Sequence, residues 1–427
     1  MKTSPRYLGI FLVLCLIFSF ISCGNTEDDP TTNPTLPNDN AIEEKAEVIS
    51  LDKEFVSHND WQDGYDKMLV RSEYSNITVE ENCAEVYPVI AKALGENSVM
   101  RSNTMESERE NFTAIAKETY EINPESFATQ ISEMDTVVRR SDSIAVSIIE
   151  DYSTDGLHAI AGFNFDTQNG EMLTISDIVT DVSKVPSIIE KAVMTRIGEE
   201  EPFGENAVSD YFNNHSVENL SWTLEYSGIT FWFKPGDIAP TNFGIQSVTI
   251  AFEEYPKLFS KKYTASPDAY ILGIPLATAF TYNSSGKADE FIITGDYDKA
   301  SDSYEGFSIQ TNSSDYDVVC QAYNIHSYYV KTADGSSYLY VFTDESKEED
   351  RQMKLFVFDL KNGKIEKLDE LNMGLLYRGD NIFALPTNPE KLLLCDYDGR
   401  YPSLEFKVGN DGLPEMSRSQ EYDQTSL

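Results

Sequence analysis

A chain of 427 residues with 72 Asp and Glu against 33 Lys and Arg has a formal net charge of −39, a field that repels nucleic acid and anionic lipid and favours encounter with cationic proteins, peptides or divalent cations. Its 41% hydrophobic content supplies packed cores and excludes a disordered chain. The length suits two or three domains at roughly 100–200 residues each.

Lys2 and Arg6 form a basic leader, Leu8 to Phe20 an apolar run, and Phe20-Ile21-Ser22-Cys23 a small residue followed by cysteine. This is the arrangement of a bacterial lipoprotein signal over residues 1–22, with Phe20 where Leu is usual, and it makes Cys23 the lipid attachment. An uncleaved anchor or an ordinary signal peptide is the alternative, although the apolar run is short for a spanning helix. Residues 23–45 then read as a flexible tether, because Asn25 to Asn40 is polar, proline-spaced and without apolar periodicity. Fully extended, that stretch reaches about 50 Å at about 3.3 Å per residue. The folded part is expected outside the cytoplasmic membrane, held there by lipid. Cys83, Cys320 and Cys395 remain, which leaves a Cys320–Cys395 bridge or three free thiols, and no CxxC spacing suggests a metal.

Glu47 to Glu54 and Tyr65 to Ile77 read as strands. Val79 to Ala93 turns helical, with a kink or restart at Pro88, and Glu106 to Tyr120 reads as a second helix. From Phe127 the period becomes two, and Thr129–Arg139, Ile144–Tyr152 and His158–Asp166 read as successive antiparallel strands. Asn169-Gly170 is a hairpin signal from which Met172, Leu173 and Ile175 return. Ser183 is expected to cap a helix with the apolar stripe Val185, Ile188, Ile189, Ala192 and Val193. Trp222, Leu224 and Tyr226 alternate with polar residues, Ser227-Gly228 reverses the chain, and Ile229, Phe231 and Phe233 return. Val248, Ile250 and Phe252 form a third strand. Between them, Pro235 and Pro240 bracket a rigid excursion from Lys234 to Gly244 that cannot join a sheet interior.

Asn164-Phe165-Asp166, the Asn169-Gly170 turn, Leu173 to Ile178, the amphipathic helix, and the run from Gly228 through Lys234-Pro235, Ile238-Ala239-Pro240 and Gly244 to Ile250 together resemble the extracellular domain of the RsiV family. The resemblance covers roughly residues 46–256 and departs at Gly236, where the family usually carries a tyrosine. RsiV-like proteins are anti-sigma factors whose outer part binds lysozyme, and a related module accompanies peptidoglycan deacetylases of the PdaC type. The resemblance therefore implies an α+β domain and lysozyme as a partner. Met1 to Arg6 is far shorter than the cytoplasmic segment an anti-sigma factor needs, and no His/Asp arrangement suggests a deacetylase.

The expected architecture is α+β: an antiparallel sheet with packed helices over residues 46–283, then a mostly β domain over 284–415 and a disordered tail, 416–427. In the β-rich part, short runs such as Tyr304–Thr311, Val318–Tyr323, Tyr338–Thr343 and Lys354–Leu360 alternate with Asp/Asn/Gly turns, as at Lys361-Asn362-Gly363-Lys364. There is too little chain for a closed ring of propeller blades, so a sheet stack or sandwich is expected.

His58, His158, His215 and His326 are not within metal-ligand spacing of one another, and neither HExxH nor G-x-S-x-G occurs. Asp296-Tyr297-Asp298 and Asp396-Tyr397-Asp398-Gly399 lack the sixth-position glycine of an EF-hand turn and read as solvated turns. No catalytic residue, metal or cofactor is expected. The Lys234–Gly244 excursion is the best binding candidate: its prolines Pro235 and Pro240 lower the entropy lost on docking, Asp237 offers a carboxylate to a cation, and Phe243 an apolar anchor. Equally, Ile238 and Phe243 can fold back as a plug over the sheet edge. The leading reading is a non-catalytic surface lipoprotein binding lysozyme, another cationic protein or a cell-wall glycan. The alternatives are a wall-polysaccharide enzyme with an unrecognised carboxylate pair, and a structural surface protein.

Overall fold

The computed structural model describes residues 46–418 other than 62–65, 155–156, 196–202, 205, 285, 346–349, 378–391 and 396–401. The expected signal segment, Cys23 and the expected tether lie outside the described residues. Among the described residues no helix is long and apolar enough to cross a membrane. The fold is α+β, with several sheets, most of them antiparallel, and a mostly β C-terminal region.

β1 (Leu51–Asp60), β2 (Val70–Val79), β3 (Gln130–Ser141), β4 (Ala145–Thr154) and β5 (Leu157–Asp166) form one sheet in that order. All neighbours are antiparallel except β2 and β3, which run parallel. Parallel neighbours need a crossover, and here it contains α1 (Glu81–Val86) and α2 (Pro88–Ile122). Pro88 restarts the chain as expected, because its missing N–H costs nothing at the first helical position. Beyond it the two expected helical stretches are one 35-residue helix. The buried stripe of α2 is apolar at both ends, with Ile90, Leu94, Met105 and Phe112, but Asn97, Ser98, Arg101 and Glu108 interrupt it. Ser98 and Arg101 are answered from the sheet, and Asn97 by Arg101. Arg101 donates through Nε to Glu150 at 2.7 Å and through Nη1 to the Ser75 carbonyl at 3.2 Å, and Ser98 donates to the Ile77 carbonyl at 2.8 Å.

The chain after β5 departs from a full hairpin. Met172 makes one bridge to Phe165, and Ile175–Ile178 closes as α3, one helical turn capped by Thr174 and Asp177. The amphipathic helix is α4 (Val185–Thr195), and Val185, Ile189 and Val193 of the expected stripe are its buried members. Ser183 does not cap it; a 3-10 turn over Val182–Lys184 leads into the helix, and the Ser183 hydroxyl donates to Asp181 at 2.6 Å. α5 (Ala207–Phe212) follows, then β6 (Ser221–Leu224), β7 (Gly228–Phe233) and β8 (Gln246–Ala251), a three-stranded antiparallel sheet. Alternation in β7 suggested one buried face, yet all six of its residues are buried. One face carries Ile229, Phe231 and Phe233 into a core shared with α4, while Trp232 on the other packs against Ile149 and Ile160 of the first sheet.

The C-terminal region is a sandwich. β10 (Phe280–Ser284), β11 (Lys287–Asp298), β12 (Ser303–Thr311) and β13 (Asp315–Ala322) form one antiparallel sheet. The facing sheet has the order β17 (Lys364–Tyr377), β16 (Asp350–Lys361), β15 (Ser337–Asp344), β14 (Asn324–Lys331) and β9 (Tyr270–Ile274). Phe307, Ile309, Tyr329, Val341, Phe356 and Phe358 fill the space between. β9 precedes Ser284, the expected boundary, and β10 ends on it, so the sheets of this region begin at Tyr270. The Lys361–Lys364 hairpin turns through Asn362 and Gly363, both with positive φ, as an Asn-Gly turn requires. β18 (Leu392–Cys395), β19 (Pro402–Val408) and β20 (Pro414–Arg418) form a small third sheet, which carries regular structure into the 416–427 stretch expected as a tail. Cys320 is a free thiol, so the Cys320–Cys395 bridge is not formed, and Cys83 is free as well.

Glu108 of α2 is 6% exposed, and desolvation, limited by Tyr152 alongside, pushes its pKa from 4.5 up to about 7. A raised folded-state pKa means that the associated stability is complete below pH 4.5 and lost as pH rises through about 7, about 3 kcal/mol in all. Glu108→Gln should therefore flatten the fall in denaturant midpoint across that window and exceed the wild type in stability at about pH 8. Equal pH slopes in the two proteins would refute the assignment.

Candidate functional site

The base of the Lys234–Gly244 loop is set by how β6 meets the first sheet. No backbone ladder joins β5 to β6; side chains bridge them instead. Asn164 donates Nδ2–H to the Trp222 carbonyl at 2.8 Å, and the Leu224 N–H donates to Asn164 Oδ1 at 2.8 Å and to Ser147 Oγ at 3.0 Å. Ser221 adds a hydroxyl bond to the Ile160 carbonyl at 2.7 Å. The approach is so close that a Cβ on Gly162 would lie 2.0 Å from the Trp222 carbonyl oxygen, which only glycine permits.

From β7 the loop leaves as a tight turn. The Lys234 N–H donates to Asp237 Oδ2 at 2.9 Å and the Asp237 N–H returns to the Lys234 carbonyl at 3.0 Å. Gly236, where the resemblance led to a tyrosine, has φ +94°, a conformation that a tyrosine adopts only under strain. A Cβ there would sit 3.1 Å from Thr241 Cγ2, so the two limbs of the loop touch. Ile238 is 2% exposed and enters the core beneath α4 and β7. After Pro240 a 3-10 turn, Thr241–Phe243, closes with the Phe243 N–H on the Pro240 carbonyl at 3.0 Å, and Gln246 donates to the Phe243 carbonyl at 2.7 Å. Phe243 itself is 46% exposed. Plug and anchor were weighed as alternatives for Ile238 and Phe243; Ile238 is buried and Phe243 presents its ring to solvent.

Lys234 and Pro240 are exposed, and Pro235 and Asp237 are half-buried. Asp237 has work besides its turn. With burial first and the Asp237 charge second, the pKa of Tyr211 is pushed up to about 12, which places the carboxylate beside α5. Tyr211 stacks on the exposed ring of His215 at 4.3 Å and meets Phe233 edge-on at 5.3 Å. Tyr211 and His215 thus flank the loop, although His215 carried no signal in the sequence beyond being one of four histidines. The arrangement holds an ammonium, a carboxylate and an apolar ring on a fixed backbone, with no nucleophile paired to a base. Among the described residues no group of three or more His, Cys, Asp or Glu can hold a metal ion. Asp298, in one of the two acidic turns, accepts the N–H groups of Ala300 and Ser301 at 3.0 Å each.

Residues 176–253, which include this loop, match the family model described as protein of unknown function (DUF3298), so the chain carries a DUF3298 domain there. The chain is similar to a DUF3298 family member of known structure from Bacteroides fragilis, with 15% identity, 51% of this chain and 96% of that chain covered, and a TM-score of 0.37. A DUF3298 family protein from Pseudomonas aeruginosa gives 11% identity, coverage of 52% and 98%, and a TM-score of 0.33. No curated protein matches the chain.

The division of labour inside the loop is measurable. Ile238→Ala should cost about 2–4 kcal/mol in denaturant unfolding, as a buried large-to-small change does, whereas Phe243→Ala should stay within about 0.5 kcal/mol of the wild type. Similar losses in both variants would place Phe243 in the core.

Proposed function

We propose that this chain is a non-catalytic, extracytoplasmic binding protein, lipid-anchored through Cys23, and that the Lys234–Gly244 loop is its contact with a cationic partner protein. The observation that carries this reading is Phe243: a large apolar ring exposed on a backbone already fixed by the Asp237 turn, the Ile238 plug and the Gln246 bonds. An anchor held this way loses little conformational entropy on docking. Lys234 and Asp237 supply the polar rim around it, with Pro240 stiffening the loop.

The net charge of −39 favours a basic partner and fast, steered encounter. By its resemblance to the RsiV family, lysozyme is the partner to test first, ahead of other cationic proteins and wall glycan.

Calorimetric titration of the protein with lysozyme at two salt concentrations decides the matter. Binding should weaken as ionic strength rises, and Phe243→Ala should cost about ten-fold or more in affinity. No binding at either salt would remove lysozyme as the partner, and unchanged affinity in the Phe243→Ala protein would move the contact away from the loop. Turnover of a peptidoglycan oligomer, abolished by a single Asp or Glu substitution, would make the protein an enzyme instead.

A further inference from the structure

The two sheets of the C-terminal sandwich pack tightly through Phe307, Phe356 and Phe358, with Phe307 and Phe356 centroids 5.4 Å apart. Towards β13 they part, leaving an open cleft of about 490 Å³. One wall is six consecutive residues of β13, Tyr316 to Gln321; the other is Lys354 and Phe356 of β16, Lys367 and Glu370 of β17, and Glu345. β13 is the last strand of its sheet. It pairs with β12 on one side, and its other edge has no strand partner among the described residues.

Unpaired strand edges invite another strand, and proteins usually blunt them with charge or a bulge. β13 carries both devices, Asp315 and Asp317 on its exposed side and a bulge at Cys320–Gln321, yet Asp315 to Val319 keep a regular register and Val319 on that same side is 93% exposed, an apolar residue on an open edge. Inside the cleft the ion pairs are Lys354 with Glu345 at 2.9 Å and with Glu370 at 3.5 Å, and Lys367 with Glu370 at 2.7 Å. Lys367 also lies over the Phe356 ring at 5.1 Å. Both ammonium groups are therefore engaged, and Asp317, which accepts the Ser308 hydroxyl at 2.7 Å, is a further carboxylate on the rim. The local balance is acidic, as is the chain.

We propose that the free edge of β13 takes an extended, cationic peptide segment of a partner protein as an added strand. Backbone N–H and C=O groups of β13 supply the affinity, as in other cases of strand addition. Alternate side chains of the incoming strand then fall on two faces. One set enters the cleft against Phe356 and Tyr316; the other lies beside Asp315, Asp317 and Val319, where cations pair across the strands. A second copy of this chain is a poor occupant, because it would bring another −39 charge to the same edge. This site is separate from the Lys234–Gly244 loop, and either can fail without the other.

Cys320 lines the cleft, and Cys83 lies elsewhere as an internal reference. Burial, together with Glu345 and Glu370 and opposed by Lys354, raises the Cys320 pKa, so alkylation is followed at about pH 8.5, where a thiolate fraction exists. The probe is a capped hexapeptide alternating lysine and valine, added to the full chain, with N-ethylmaleimide labelling read by mass spectrometry. The peptide should slow labelling of Cys320 about five-fold or more and leave Cys83 unchanged, as expected of strand addition in the cleft. A backbone N-methylated version and a glutamate–valine version should not protect. Val319→Lys, at a site too exposed to disturb folding, should weaken protection about ten-fold through charge repulsion. Absence of protection by the lysine peptide overturns the proposal, as does equal protection by the N-methylated or the acidic peptide. Protection of Cys320 that rises with protein concentration alone, with a dimer in sedimentation that Val319→Lys dissolves, would assign the edge to a second copy and equally overturn it.

Discussion

Arg139 and Arg140 stand next to each other on β3, and neither has surface in contact with water. In a regular strand successive side chains point to opposite faces, but the register of β3 against β4 shifts between Val138 and Arg140, and the bulge turns both guanidinium groups into buried surroundings. Arg139 donates to Glu225 at 2.9 Å, with the Trp232 and Phe280 rings 5.4 and 5.1 Å from its guanidinium carbon. Arg140 donates to Asp142 at 2.9 Å and to the carbonyls of Tyr263 and Ala265 at 2.8 and 2.7 Å. Tyr226, over which Arg140 lies, bonds the backbone of Ser141 through its hydroxyl, and the next residue, Ser227, donates to the Thr281 carbonyl at 2.6 Å. One knot thus ties the first sheet, the β6–β7 turn, the approach to β9, and β10.

Removing one member of such a cluster leaves a charge buried without its partner, a loss of about 3–5 kcal/mol, while the intact cluster adds little net stability. Its effect here is positional. The Lys234–Gly244 loop hangs from β7, and β7 is held by Glu225, Tyr226 and Ser227 at one end and by the Asn164 bridge to β6 on its flank. The same residues fasten the C-terminal sandwich. That is why the sheet boundary falls near Tyr270 and not at the Ser-Ser-Gly sequence after Asn283, which composition marks more clearly.

What could be read in the sequence follows from which signals are local. β3 to β8 and β11 to β17 of the sandwich were legible because period-two alternation and Asn-Gly turns are short-range, whereas β9 and β10 were not read as strands. The loop was legible because proline and glycine restrict backbone geometry wherever they stand. α2 was misread as two helices because Asn97, Ser98, Arg101 and Glu108 break its apolar stripe, and the partners of Ser98 and Arg101, Glu150 and the carbonyls of β2, lie elsewhere in the chain. The parallel pairing of β2 with β3 and the double-sided burial of β7 were invisible for a similar reason: both depend on what packs opposite. The β13 cleft unites residues some fifty positions apart, from Tyr316 to Glu370, and no single segment announces it.

The internal charges are balanced among themselves. Arg101, Arg139 and Arg140 are spent in the interior on Glu150, Glu225 and Asp142. Each pair takes one carboxylate inside with each guanidinium, so the surface excess of carboxylates is unchanged in a chain that has fewer than half as many cations as carboxylates. Arginine suits these interior positions because its planar fork bonds several acceptors at once, which lysine cannot do. The three ties therefore leave the exterior's excess of carboxylates as the composition sets it.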